Sequence, residues 1–144
     1  MGPVLLANLA ATFVMVGIIW FVQIVHYPLF TRVGTTGFPA YSAAHSRLTG
    51  LVVGPPMLAE AATAVALVLG PPPGVSSWLA VIGLVLLAVI WLSTAVLQAP
   101  RHRELGSGLD AASHRFLVAS NWIRTVCWSA RGLVVLWMAA EAAG

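Results

Sequence analysis

WFVQIVHYPLF, residues 20–30, ends a long apolar run with a glutamine and a histidine three positions apart. The run occupies about residues 3–30. It exceeds the ~20 apolar residues that a bilayer-crossing helix needs. Hydrocarbon offers Gln23 and His26 no hydrogen-bond partner, and a polar group stranded there is costly. The stretch therefore predicts a helix packed against other helices, with both side chains turned inward. There they either serve packing or do chemistry.

Three further runs of the same kind cover about residues 47–70, 76–99 and 116–140. Of the 144 residues, 60% are hydrophobic and 8% charged, against roughly 25% charged in soluble proteins. The expected fold is all-α: a single domain, residues 1–144, forming an integral membrane four-transmembrane-helix antiparallel bundle. The first run lacks a basic start and a small-residue cleavage site, so it reads as a retained helix. Cys127 is the only cysteine. This excludes an internal disulfide and the four-helix quinone-coupled disulfide oxidoreductases.

The net charge of +3 comes from seven arginines and no lysine. Their placement speaks for topology and against a nucleic-acid partner. Arg32 and Arg47 flank the first connection; Arg101, Arg103 and Arg115 flank the third; GPPPGVSS, residues 70–77, has no charge. Positive residues stay cytoplasmic in short loops. The N-terminus and C-terminus are therefore expected outside a bacterial inner (cytoplasmic) membrane. Membrane lipid is the expected surround, and a homo-oligomer is compatible with it.

Local punctuation agrees. Asp110 precedes a helical run and reads as an N-cap. Pro55 and Pro56 lie mid-span in the second helix and predict a break there, because the carbonyls of Leu51 and Val52 lose their helical partners; it reads either as a packing kink or as a cavity lined by those carbonyls. At 100° per residue each helix has one polar stripe. Asn8, Thr12, Gln23 and His26 mark the first; His45, Thr49, Pro56, Glu60 and Thr63 the second; Trp91, Thr94 and Gln98, with His102 as a further candidate, the third; His114, Asn121, Arg124, Trp128 and Arg131 the fourth. Four such stripes imply a polar bundle interior.

With antiparallel helices the four histidines share the cytoplasmic half. Glu60 and Arg131 each lie about 20 Å outward from their helix starts, at 1.5 Å per residue. They read as an intramembrane ion pair, either structural or a gate. His102, in PRHREL, reads as solvated.

Several kinds of chemistry fit this interior. His26 or His45 suits a general base, because imidazole titrates near neutrality. Arg124 completes the expected catalytic set by holding a developing oxyanion, with Gln23 and Asn121 beside it. Gln98 and Trp128 complete the expected contacts to a lipophilic small molecule. Alternatively His26, His45 and His114 hold haem or a single metal ion. A transporter or channel would use Glu60 and Arg131; a purely structural membrane partner is the fourth reading.

LQAPRHREL, residues 97–105, and HRFLVASNWIRTVCWSARG, residues 114–132, resemble segments of the anthrone-oxygenase-like family of small four-helix membrane proteins. The family has a proline-containing segment after its third helix and a Trp-x-x-x-Asn-x-x-Arg pattern early in its fourth. Asn121 and Arg124 match that spacing, whereas Phe116 leads the segment and the tryptophan is missing. The resemblance covers roughly the last third of the chain. It implies a bundle handling lipophilic aromatic molecules, an oxidoreductase in some relatives, with Asn121 and Arg124 at the site. WFVQIVHYPLF bears a fainter likeness to the membrane-bound, haem-associated protoporphyrinogen oxidase family.

The arginine distribution makes a direct prediction. Reporter fusions after Gly74 and Gly106 should report outside and inside respectively; the reverse pattern would overturn the charge argument.

Overall fold

The computed structural model describes residues 1–144 and contains four helices long and apolar enough to cross a membrane: Pro3–Arg32, Phe38–Leu69, Ser77–Leu105 and Ala111–Glu141. The first span consists of α1 (Pro3–Phe21), a π-helical turn (Val22–His26) and a 3-10 turn (Pro28–Arg32). The second span is α2 (Phe38–Leu69). The third consists of α3 (Ser77–Ser93), a second π-helical turn (Thr94–Gln98) and α4 (Ala99–Leu105). The fourth is α5 (Ala111–Glu141). Each span packs on its chain neighbours, and the first also packs on the fourth, closing an up-down-up-down ring.

Asp110 caps α5 as its position predicts: its Oδ2 accepts the Ser113 N–H at 2.6 Å. At the opposite end the Glu141 carboxylate accepts the Ser76 N–H at 2.7 Å and the Ser76 hydroxyl at 3.1 Å. This ties the last turn of the chain to the second connection. Gly74 turns that connection with a φ of 80°, a conformation that side chains disfavour.

The break expected at Pro55 and Pro56 does not form; α2 runs through both. Leu51 and Val52, whose carbonyls lose their donors, are 66% and 62% exposed. The proline defect thus sits on the outward face, where no interior packing depends on it.

The bundle reverses the usual distribution of polarity. Leu69, Leu92 and Leu133 point outward, while Asn8, Thr12, Glu60, Asn121 and Arg131 are buried. Apolar contacts form three layers along the axis. Leu5, Leu67, Leu79 and Met138 pack at the end holding both termini. Met15, Met57, Ile90 and Trp128 fill the middle. Tyr27, Phe30, Phe38, Leu105 and Leu117 pack at the arginine-rich end.

One polar network joins all four spans. Arg131 Nε donates to Glu60 Oε1 at 2.6 Å, with the two side chains 1% and 0% exposed. The same Oε1 accepts the Thr12 hydroxyl at 2.8 Å, and Oε2 accepts Trp128 Nε1 at 3.1 Å. Arg131 Nη2 donates to Asn8 Oδ1 at 3.2 Å, and Nη1 donates to the Gly83 carbonyl. Asn8 Nδ2 in turn reaches Thr63 Oγ1 at 2.7 Å and the Glu60 carbonyl at 3.2 Å. A Cβ at position 83 would come within 3.0 Å of Arg131 Nη1. Glycine is what lets the guanidinium reach the backbone of the third span.

Removing one partner of such a pair leaves a buried charge alone. Glu60→Ala and Arg131→Ala should each destabilise the bundle by roughly 3–5 kcal/mol, measured by unfolding in detergent micelles. The double replacement should cost clearly less than the sum. Strict additivity would show that the two do not interact.

Candidate functional site

Toward the arginine-rich end the interior changes character. A π turn is closed by Tyr27 N–H donating to Val22 O, five residues back, at 3.0 Å. π turns occur often at functional sites because they re-aim side chains within a continuous helix. Both π turns here end two residues before a proline, at Pro28 and Pro100. Each also carries one of the two buried glutamines, Gln23 and Gln98.

The glutamines form a middle tier. Gln23 Oε1 accepts Asn121 Nδ2 at 2.8 Å, and Gln23 Nε2 donates to Val118 O at 3.2 Å. Gln98 Oε1 accepts the Ser93 hydroxyl at 3.0 Å, and Gln98 Nε2 donates to Ser120 Oγ at 3.2 Å. The first and third spans are thereby both stitched to the fourth.

Beyond this tier lies a cavity of about 460 Å³ between the second and third spans. Small residues open it, with Ser46 and Gly50 on α2 and Ala99 on the third span. Thr94 and Gln98 form part of its wall; Tyr27, His45, His102 and Arg124 supply its chemistry. The volume falls in the ~300–1,000 Å³ range of small-molecule sites.

The groups around the cavity are paired in short contacts. Tyr27 Oη lies 2.8 Å from His102 Nε2, and His26 Nε2 lies 2.8 Å from His45 Nδ1. Thr49 Oγ1 is 3.1 Å from the same His45 nitrogen. The His45 and His102 ring centres are 5.4 Å apart. Phe30 abuts the rings of His26 and His45, each at 5.2 Å, and so limits their rotation.

Arg124 is the exception to this pairing. Its guanidinium stands 5.3 Å from the Trp128 ring and beside the Tyr27 hydroxyl. No carboxylate forms an ion pair with it, and its buried Nε has no hydrogen-bond partner. His102 Nδ1 is buried without a partner as well. Buried polar atoms are nearly always satisfied; of the three here without a partner, Arg124 Nε and His102 Nδ1 belong to cavity residues and Asn121 Oδ1 does not.

Several expectations are corrected here. His102 is not solvated: it lines the cavity and bonds to Tyr27. Gln23, Asn121 and Trp128 do not line it. They are 3%, 0% and 0% exposed and are held by interior hydrogen bonds. Gln98 does line it. Trp91 leaves the polar stripe and is 40% exposed on the outer surface.

The three-histidine ligand set does not assemble. His114 Nε2 is on the Tyr27 carbonyl at 2.8 Å, while His26 and His45 face each other. No group of three or more His, Cys, Asp or Glu side chains is placed to hold a metal ion. Glu60 and Arg131 are sealed and mutually satisfied, which is the geometry of a structural pair, with no open cavity beside it for a gate.

Tyr27 and His102 are cavity residues that the expected site left out, although the helical wheel already puts His102 near the arc of Gln98. Tyr27 beside Pro28 reads as a headgroup anchor, and His102 sits among charges. The available signal was spacing: once α4 continues the third span as a helix, His102 lies one turn from Gln98, on the same face.

A scan of protein-family models, a search of curated proteins and a search of solved structures each find no match to the chain.

Proposed function

We propose that this is an integral membrane protein, arginine-rich end toward the cytoplasm. In this reading its cavity binds a lipophilic aromatic ketone or phenol and removes a proton from it. The observation that carries the proposal is Arg124, a mostly buried cation with no acidic partner and spare donors, beside a cavity. An oxyanion of the ligand would complete it, and charge-assisted hydrogen bonds of this kind are the strong ones. His45, on the same cavity, is the base, and Tyr27 offers its hydroxyl to the same oxygen when His102 Nε2–H is the donor of their pair. The outward apolar surface and the small residues at the mouth suit a ligand arriving from hydrocarbon.

The resemblance to anthrone-oxygenase-like proteins points the same way. Anthrone carries a C–H made acidic by its carbonyl. Removing that proton to His45 places the negative charge on the oxygen beside Arg124. The resulting anion is the form that dioxygen oxidises to the quinone with loss of water. This is the oxidoreductase reading, and it requires no metal.

Anthrone itself is the probe. Anaerobic titration of the micelle-solubilised protein, followed by tryptophan fluorescence, should show saturable binding. Arg124→Gln should weaken it by roughly ten- to a hundredfold, the loss of one hydrogen bond to a charged group. Equal binding by the variant, or none by the wild type, would overturn the proposal.

A further inference from the structure

We infer that His26 is the positioning residue for His45: it accepts the His45 Nδ1 proton and so leaves the Nε2 lone pair free toward the cavity. The inference rests on the reading of the cavity as a site of proton removal, and it names the group that sets the base.

Two contacts converge on His45 Nδ1, His26 Nε2 at 2.8 Å and Thr49 Oγ1 at 3.1 Å. An imidazole nitrogen has a single in-plane lone pair, so two donors cannot both be satisfied by it. A proton on Nδ1 eases the conflict: it points to the unprotonated His26 Nε2 at 2.8 Å, and the Thr49 hydroxyl at 3.1 Å turns a lone pair to the same N–H as the weaker arm of a three-centre bond. His45 then carries its free lone pair on Nε2. The tautomer of a histidine is set by the hydrogen bond that its other nitrogen makes.

In many hydrolytic sites a carboxylate fills this role. Here all four carboxylates are engaged elsewhere. Glu60 holds Arg131, Glu104 holds Arg101, Asp110 caps α5, and Glu141 holds Ser76. The ionisable side chains close to the pair are Tyr27, Tyr41, His102 and Arg124, none of them acidic at neutral pH. A neutral imidazole is therefore the acceptor this interior supplies. His26 is only partly buried and opens on its far side to an apolar groove between the first and second spans, lined by Gly17, Phe21 and Val52. It touches His45 but not the cavity, so it acts through His45.

The tautomer can be read directly. Protein labelled with ¹⁵N-histidine, in micelles at a pH where both rings are neutral, is examined by long-range ¹H–¹⁵N correlation, with His45 assigned by its loss in His45→Gln. His45 should be the Nδ1–H form in the wild type and in His26→Gln, whose amide oxygen takes the same proton. In His26→Leu it should shift toward the Nε2–H form that predominates in water. An Nε2–H His45 in the wild type overturns the assignment without any variant. So does a tautomer unchanged between the wild type and His26→Leu. These spectra need no ligand, so failure of anthrone to bind leaves them unaffected, and a wrong tautomer leaves the Arg124 titration standing.

Discussion

The Glu60–Arg131 contact is the constraint around which the rest of this bundle is arranged. A charge in an apolar surround is costly unless it finds partners. Glu60 finds Thr12, Trp128 and Arg131; Arg131 finds Glu60, Asn8 and the Gly83 carbonyl. Those partners come from all four spans. Register and rotation are therefore set together, as apolar contacts alone, being non-directional, would not set them.

Trp128 carries that order toward the other end. Its indole N–H holds Glu60, and its ring faces Arg124. One side chain thus separates two arginines of the same helix with opposite circumstances. Arg131 is saturated with partners and sealed. Arg124 keeps an unpaired donor beside a cavity. Unsatisfied polar groups that persist in a folded protein cost stability, and proteins accept that cost most often at functional sites. The contrast between the two arginines supports the functional proposal more than any histidine does.

Much of this was legible in the sequence. Apolar runs of bilayer length and polar stripes at helical spacing expose the four helices, and the matched depths of Glu60 and Arg131 expose their pair. Gln23 does turn inward, onto Asn121. Gln23, His26, Asn121 and Arg124, expected to form one polar cluster joined by His45, meet in pairs. Gln23 bonds to Asn121, whereas His26 bonds to His45. The reason is the π turn at Val22–His26. It changes the helical phase within the stretch, so a wheel drawn at 100° per residue misplaces His26 relative to Gln23. His102 follows Gln98 by one ordinary turn in α4, so there the wheel and the structure agree. Pro55 and Pro56 misled in the other direction: α2 runs through both, and Leu51 and Val52, whose carbonyls lose their donors, lie on its exposed face. Gly83 carried no visible signal, since its role depends on a guanidinium from a helix about fifty residues away in the chain.

Glu60 and Arg131 hold the fold, whereas the proposed function keeps the cavity beside Arg124 for a ligand, and the two arginines test that division. The measurement is the unfolding free energy, in micelles without ligand, of Arg131→Met and Arg124→Met. Arg131→Met should lose roughly 3–5 kcal/mol, because it strands Glu60. Arg124→Met should lose no more than the ~1 kcal/mol expected for a cation–π contact, or should gain stability, because the charge it removes has no partner. Equal losses at the two positions would contradict the account, since Arg124 would then be a structural residue like Arg131.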